Sequence, residues 1–311
     1  MKRLLTGLQP SGQLHIGNYF GALKPFAEMY GEYESFLMVA DYHSLTSLKD
    51  ASALRENIIE IVRGYIAAGV DPNKAVIFKQ SDVQEHTELA WIFECLVTVP
   101  FLELAHAYKD KVAKGLEANA GLFNYPMLMA ADILLYDTEV VPVGRDQQQH
   151  VEYAREAANK FNVAYGQTFT EPQAKILGTV AVVPGVDGQK MSKSYKNTIP
   201  LFGSKDDISK AVMSIVTDSS GERPENVYAI HKLFKPESEL SSIYGTNKGN
   251  YKTLKEALIA DIDAFVAPMR AKYEAITEAQ VKEVLEQGAA KARAIASAKM
   301  ADVRKKVGVT I

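Results

Sequence analysis

"KRLLTGLQPSGQLHIGN", residues 2–18, is the stretch on which the reading of the fold turns. Its opening "KRLLTG" (2–7) reads as a short strand. The loop that follows, with glycines at Gly7, Gly12 and Gly17, leads into a helix placed near Asn18 to Met29. A strand feeding a helix through a glycine-rich turn is the beginning of a βαβ unit, and the pattern repeats. "SFLMVAD" (35–41) is a strand of the fully buried type, and "ASALRENIIEIVRGYIAAG" has helical apolar spacing closed by Gly69. "KAVIFKQS" is a third strand. Helices follow near 85–97 and 100–110, then the strand "EVVPVG" and the helix "DQQQHVEYAREAANKF". This alternation predicts an α/β fold with a doubly wound, parallel, Rossmann-like sheet over residues 1–200. From about Lys205 the helical pattern dominates, which predicts a mainly helical C-terminal region, residues 201–311, whose final helices can pack back on the first domain.

Composition narrows the setting. With 47% hydrophobic and 23% charged residues, the 311-residue chain can bury a large core. A net charge of -3 does not indicate a generally basic nucleic-acid binder, although a local basic face stays open. The lone cysteine, Cys95, excludes an intramolecular disulfide framework and any four-cysteine metal site, so a reducing compartment is expected. The opening "MKRLLTGLQPSG" lacks the apolar run of a signal peptide, and no stretch reaches the roughly twenty apolar residues of a membrane span, so a cytoplasmic location is expected. His86, His106, His150 and His231 are scattered without metal-ligand spacing. Trp91 and Cys95, one helical turn apart, are expected in the core. The tail cations Lys291, Arg293, Lys299, Arg304, Lys305 and Lys306 read as a solvated face, with a phosphate-contacting face as the second reading.

Three segments carry chemistry. In a doubly wound sheet the turn after the first strand faces the ligand crevice, and its glycines and free N–H groups suit a phosphate. The Gly7–Asn18 turn matches neither the dinucleotide fingerprint nor the P-loop. His15 within it can donate to charge developing on a phosphoryl group. The second segment is "GQKMSKSYKN", residues 188–197, a lysine-bearing loop with Gly185 and Gly188 upstream. Lys190 and Lys193 there can close over a polyphosphate. The third is "NYPMLMAADILLYD", residues 124–137, read as a helix opened by Pro126. Tyr125, Met129, Asp132 and Tyr136 share one stripe of it. Asp132 has no basic residue within a turn or two, and a buried carboxylate needs a partner.

"HIGN" and "KMSKS" resemble the two signatures of the class I aminoacyl-tRNA synthetases. "GLQPSG", "MAADILLYD" and "VPVGRDQQQH" are similar, more narrowly, to bacterial-type tryptophanyl-tRNA synthetases, and the resemblance spans essentially the whole chain. It implies activation of L-tryptophan by ATP to an adenylate, with release of pyrophosphate, and transfer of tryptophan to the 3' end of tRNA(Trp). It implies an ATP site of Gln9, Pro10, Ser11, Gly17, Asn18, Gly144, Arg145, Asp146, Val183, Lys190, Met191, Ser192, Lys193 and Ser194. His15, Asn18, Lys111, Lys190 and Lys193 would act in catalysis. Asn18 stands where the general signature has a second histidine. On the amino acid side it implies Asp132 as the indole partner. Tyr125 and Gln147 would hold the ammonium group, with Met129, His43, Val141 and Val143 as walls. An indole has one strong donor, so a lone buried acceptor would select it, and that acceptor's partner would then be the substrate. Magnesium is expected with ATP, held by nucleotide and water rather than by a protein cage. The resemblance further implies a homodimer and an anticodon-binding role for residues 201–311. A tyrosyl enzyme, a tRNA-independent nucleotidyltransferase and an inactive RNA-binding relative are the alternatives.

Overall fold

The computed structural model describes residues 1–115, 117–144, 148–176, 183–217 and 223–310. Five parallel strands, β1 (Arg3–Leu8), β2 (Glu34–Val39), β3 (Ala75–Lys79), β4 (Val140–Val143) and β5 (Gln173–Ile176), form one sheet in the order β3-β2-β1-β4-β5. The expected doubly wound sheet is therefore present. Its last strand, "QAKI", carries no apolar run and escapes a reading by hydrophobicity; it is placed by pairing with β4 from Val140 opposite Gln173 to Val143 opposite Ile176.

A parallel sheet needs both faces covered, and strand residues alternate between two cores. Phe36 and Met38 of β2 join Phe78, Phe93, Met127, Tyr136 and Phe161 on one side. Leu37 and Val39 join Ile61, Val62, Tyr65 and Ile77 on the other. Helical residues beyond 200 serve both cores: Ala292, Ala296 and Met300 in the first, Ile208, Leu258 and Ile262 in the second. Tyr228, Leu240, Tyr244 and Leu254 form a small cluster of their own. Among the described residues no helix is long and apolar enough to cross a membrane.

The Glu278–Val307 helix lies directly on β3. A Cβ added to Gly288 would stand 1.8 Å from the Ile77 carbonyl oxygen, so the two backbones touch where only glycine fits. Four of the tail cations depart from the reading of them as a solvated face, because they reach groups of the sheet domain. Arg293 Nε donates to the Asp82 carbonyl at 2.7 Å, Lys299 Nζ pairs with Asp137 at 2.6 Å, and Lys306 Nζ donates to the Gln167 carbonyl at 2.6 Å. Arg304 pairs with Glu88. These side chains fasten the helix to the sheet domain; Lys291 and Lys305 are exposed. Gly288→Ala should therefore lower stability by about 1–3 kcal/mol, the usual cost of forcing extra volume into a packed contact. Urea unfolding measures it, and a midpoint equal to that of the unsubstituted protein would contradict the close helix–strand contact.

Candidate active site

The strand order reverses between β1 and β4, which are registered only through Leu4 opposite Val140. Beyond that pair the carboxyl ends of β1, β2 and β4 border a cavity of about 480 Å³. This is the switch point at which open α/β sheets bind ligands. One end of the crevice is polar and is built by the first turn and the lysine loop. The other is mostly apolar and is built by the Ala120–Leu134 helix and β4.

At the polar end His15 caps the short turn of helix that follows it. Its Nδ1 accepts from the Asn18 backbone N–H at 3.3 Å, while the His15 backbone N–H donates to Asn18 Oδ1 at 3.1 Å. With Nδ1 accepting, the ring proton of neutral His15 sits on Nε2. Burial, with the Lys193 charge adding to it, lowers the His15 pKa from 6.5 to about 4, so the ring is neutral at pH 7. The lysine loop is tied to this turn. Ile16 N–H donates to the Ile199 carbonyl at 3.0 Å and Leu201 N–H to the Leu14 carbonyl at 2.9 Å. Lys193 Nζ donates to the Gly12 carbonyl at 2.6 Å. Gly12 holds φ at +127°, a region open to glycine, and this turns its carbonyl to the lysine. Burial draws the Lys193 pKa down to about 8 against the upward pull of Glu60.

At the apolar end Asp132 is 2% exposed, and its carboxylate is not without partners in the chain. His43 Nε2 lies 2.9 Å from Oδ2. Gln80 Nε2 donates to both oxygens, at 2.8 and 3.0 Å. His86 Nδ1 stands 2.6 Å from Oδ1, off the line of an ideal hydrogen bond. This corrects the expectation that the partner of Asp132 is the substrate and not a group of the chain itself. The donors come from distant turns, which no scan for a nearby basic residue reaches. Burial by itself would raise the Asp132 pKa; the hydrogen bond from His43 and the close approach of the His86 ring nitrogen outweigh it and hold the group at about 2.

Other expected residues distribute unevenly. Gln9, Ser11, His15, Asn18, Met191, Ser192, Lys193 and Ser194 border the crevice together with His43, Tyr125, Met129, Asp132, Val141 and Val143. Pro10, Gly17 and Gly144 neighbour wall residues in the chain without lining the cavity, and Val183 accepts from Met191 N–H at 2.8 Å. Lys190 and Lys111 are not part of the wall. Arg145, Asp146 and Gln147 lie outside the described residues. Three further polar residues belong to the site: Gln80, which the sequence does not single out, and His86 and His150, which it marks only as scattered histidines. His150 borders the cavity beside Tyr125, and Gln80 and His86 stand behind Asp132. Gln80 directly follows β3, so its place at a strand end was a usable signal; His86 carries none. The helix begins at Ala120, not at Pro126, because Asn119 caps it by accepting from Leu122 N–H at 2.8 Å. Pro126 lies inside and leaves the Leu122 carbonyl without its usual N–H. Trp91, 67% exposed, and the exposed Cys95 are not core. Among the described residues no group of three or more His, Cys, Asp or Glu side chains could hold a metal ion.

The model of the tRNA synthetases class I (W and Y) matches residues 1–300. The chain belongs to this family. A tryptophan–tRNA ligase from Fusobacterium nucleatum is 48% identical over 320 residues, covering 99% of this chain and 98% of the relative. The crystal structure of the Campylobacter jejuni tryptophanyl-tRNA synthetase complexed with ADP and tryptophan is similar at a TM-score of 0.91. It is 46% identical, with 98% of this chain and 99% of that one covered. The Mycoplasma pneumoniae tryptophanyl-tRNA synthetase is similar at a TM-score of 0.85 and 31% identity, over 99% of this chain and 98% of that one.

In this class I synthetase the neutral state of His15 is open to measurement. Folded, the ring takes its proton only near pH 4; unfolded, near 6.5. Acidification through that window therefore favours the unfolded chain, which binds the extra proton. A histidine NMR titration should place the His15 midpoint well below 6.5. Lys193→Ala should move it up by removing the nearby charge. A midpoint at or above 6.5 would contradict the burial of the ring.

Proposed function

We propose that this synthetase is a tryptophan–tRNA ligase. The carboxylate of L-tryptophan attacks the α-phosphorus of ATP, pyrophosphate leaves, and the tryptophanyl-adenylate then gives its acyl group to a ribose hydroxyl at the 3' end of tRNA(Trp), releasing AMP. The observation that carries this reading is a single crevice at the switch point with phosphate chemistry at one end and a buried carboxylate, Asp132, in an apolar wall at the other. The close tryptophan-enzyme relatives support it.

Each end suggests a role. Neutral His15, protonated on Nε2, donates to a phosphate oxygen without bringing a titrating charge. Asn18 uses its Oδ1 in the cap, which leaves its NH₂ as the donor toward the nucleotide. Lys193 exchanges the Gly12 carbonyl for phosphate oxygens and stabilises the charge that builds as pyrophosphate departs; Lys190 and Lys111 would join from outside the wall. Ser11, Met191, Ser192 and Ser194 line the nucleotide side, with Gly144, Arg145, Asp146 and Val183 toward the adenosine. Magnesium enters with ATP as part of the substrate. At the other end the indole ring packs on Met129 between Val141 and Val143, and Tyr125 with Gln147 holds the ammonium group. The indole N–H reaches Asp132 from the crevice side, where His43 is the donor that it shares with or displaces. A ring without N–H makes no bond to this charged acceptor, a loss of about 1.5–3 kcal/mol.

Residues 201–311 take the anticodon side of the tRNA. The exposed pair Trp91 and Cys95, one turn apart, favours a homodimer through that helix, and the single cysteine suits the cytoplasm.

Exchange of labelled pyrophosphate into ATP tests the reading. It should depend on tryptophan; dependence on tyrosine alone would assign the tyrosyl alternative, and no exchange with any amino acid would refute the activity. Lys193→Ala should slow adenylate formation by about 10²- to 10³-fold while leaving tryptophan affinity nearly intact. Asp132→Asn should reduce discrimination for tryptophan more than ATP binding. Trp91→Glu should shift the protein toward monomer in sedimentation, and an unchanged mass would place any dimer contact elsewhere.

A further inference from the structure

Asp132 is held from behind by groups that the crevice does not touch. Gln80 and His86 are both 0% exposed, and neither lines the cavity. Gln80 Oε1 accepts from His43 N–H at 3.3 Å, which turns its amide NH₂ toward the carboxylate. His86 Nδ1 is 2.6 Å from Oδ1. A nitrogen lone pair that close to a carboxylate oxygen would be repelled, so the ring proton sits on Nδ1 and Nε2 is the acceptor. The donor to Nε2 is the Tyr136 hydroxyl, 2.8 Å away. Burial, reinforced by the Asp132 charge, pushes the Tyr136 pKa up, so the phenol keeps its proton. The result is a directed chain in which Tyr136 O–H donates to His86 Nε2 and His86 Nδ1–H faces Asp132 Oδ1.

We propose that His86, with its tautomer set by Tyr136, is a positioning residue for substrate selection, fixing Asp132 as the acceptor that reads the indole N–H. The inference rests on the tryptophan reading of this crevice and deepens it. Of the donors around the carboxylate, His43 alone borders the cavity, so it is the one an incoming N–H meets. Gln80 and His86 hold the carboxylate still during that exchange. Without the Tyr136 hydroxyl, Nε2 becomes a buried acceptor with no donor, and the ring loses the bond that aligns its Nδ1–H on Asp132. The carboxylate must turn or recruit another donor, and its geometry toward the indole is lost.

The test compares two substrates in pyrophosphate exchange: L-tryptophan and its benzothienyl analogue, in which sulfur replaces the N–H. Their kcat/KM ratio is taken on one preparation, so any misfolded fraction cancels. Tyr136→Phe should lower that ratio about tenfold or more, the usual scale for a lost bond to a charged group, through the KM for tryptophan with the KM for ATP unchanged. His86→Leu should do the same. His86→Asn, which keeps an N–H donor near the Nδ1 position, should retain most of the ratio. A merely structural network predicts that both substrates lose activity together. Tyr136→Phe protein with an undiminished ratio would overturn the proposal while leaving the tryptophan reading standing. Unsubstituted protein without tryptophan-dependent exchange would overturn the tryptophan reading itself, and this proposal with it.

Discussion

A carboxylate shut away from water must be answered by donors, and the donors that answer Asp132 come from separate parts of the fold. His43 follows β2, Gln80 follows β3, and His86 begins the next helix. They converge because β2 and β3 are parallel neighbours whose carboxyl ends open on the same edge. A second buried carboxylate secures that edge: Asp41 accepts from Ser81 N–H at 3.0 Å and from the Ser81 hydroxyl at 2.5 Å, pinning the turn that carries Gln80 to the turn that carries His43. The sheet order is thus the condition for keeping Asp132 ionised. With the carboxylate ionised, the apolar end of the crevice offers an acceptor, with His43 as the donor beside it on the cavity side.

The polar end solves the opposite problem. There a neutral ring and a cationic side chain must hold a fixed orientation. His15 does so by surrendering its Nδ1 to a backbone N–H, which fixes the tautomer and aligns the ring. Lys193 does so by resting on the Gly12 carbonyl, and backbone bonds between residues 14–16 and 199–201 keep loop and turn in register. Both arrangements use main-chain groups of the first turn, so the two side chains are oriented by the backbone between Gly12 and Asn18.

Much of this was legible in the residues, and the remainder has a common cause. β1 to β3 are apolar runs bounded by polar turns, and "HIGN" and "KMSKS" mark the two loops that meet. β5, with the letters Gln, Ala, Lys and Ile, is a strand only because β4 offers it an edge. Pro126 suggested a helix start because proline suits a first turn, but the Asn119 cap six residues earlier decides the boundary. Trp91 and Cys95 have core spacing and no core behind them. His86 meets Asp132 across 46 residues of chain, and such a contact leaves no mark on local periodicity. Where a role depends on one element, it could be read; where it depends on the meeting of several, it could not.

The C-terminal helix belongs to the same economy of contacts. The segment from Gln80 to Glu88 supplies the two hidden donors to Asp132, and it has the Glu278–Val307 helix along its outer side. Arg293 Nε reaches the Asp82 carbonyl, Ser297 Oγ donates to Glu85 at 2.5 Å, and Arg304 pairs with Glu88. Singly, half-exposed pairs of this kind contribute about 0–1 kcal/mol. Spaced along three turns of one helix whose Gly288 already presses on β3, they act on a segment with little freedom left. Arg293 and Arg304, with Ser297, therefore brace the segment that carries Gln80 and His86.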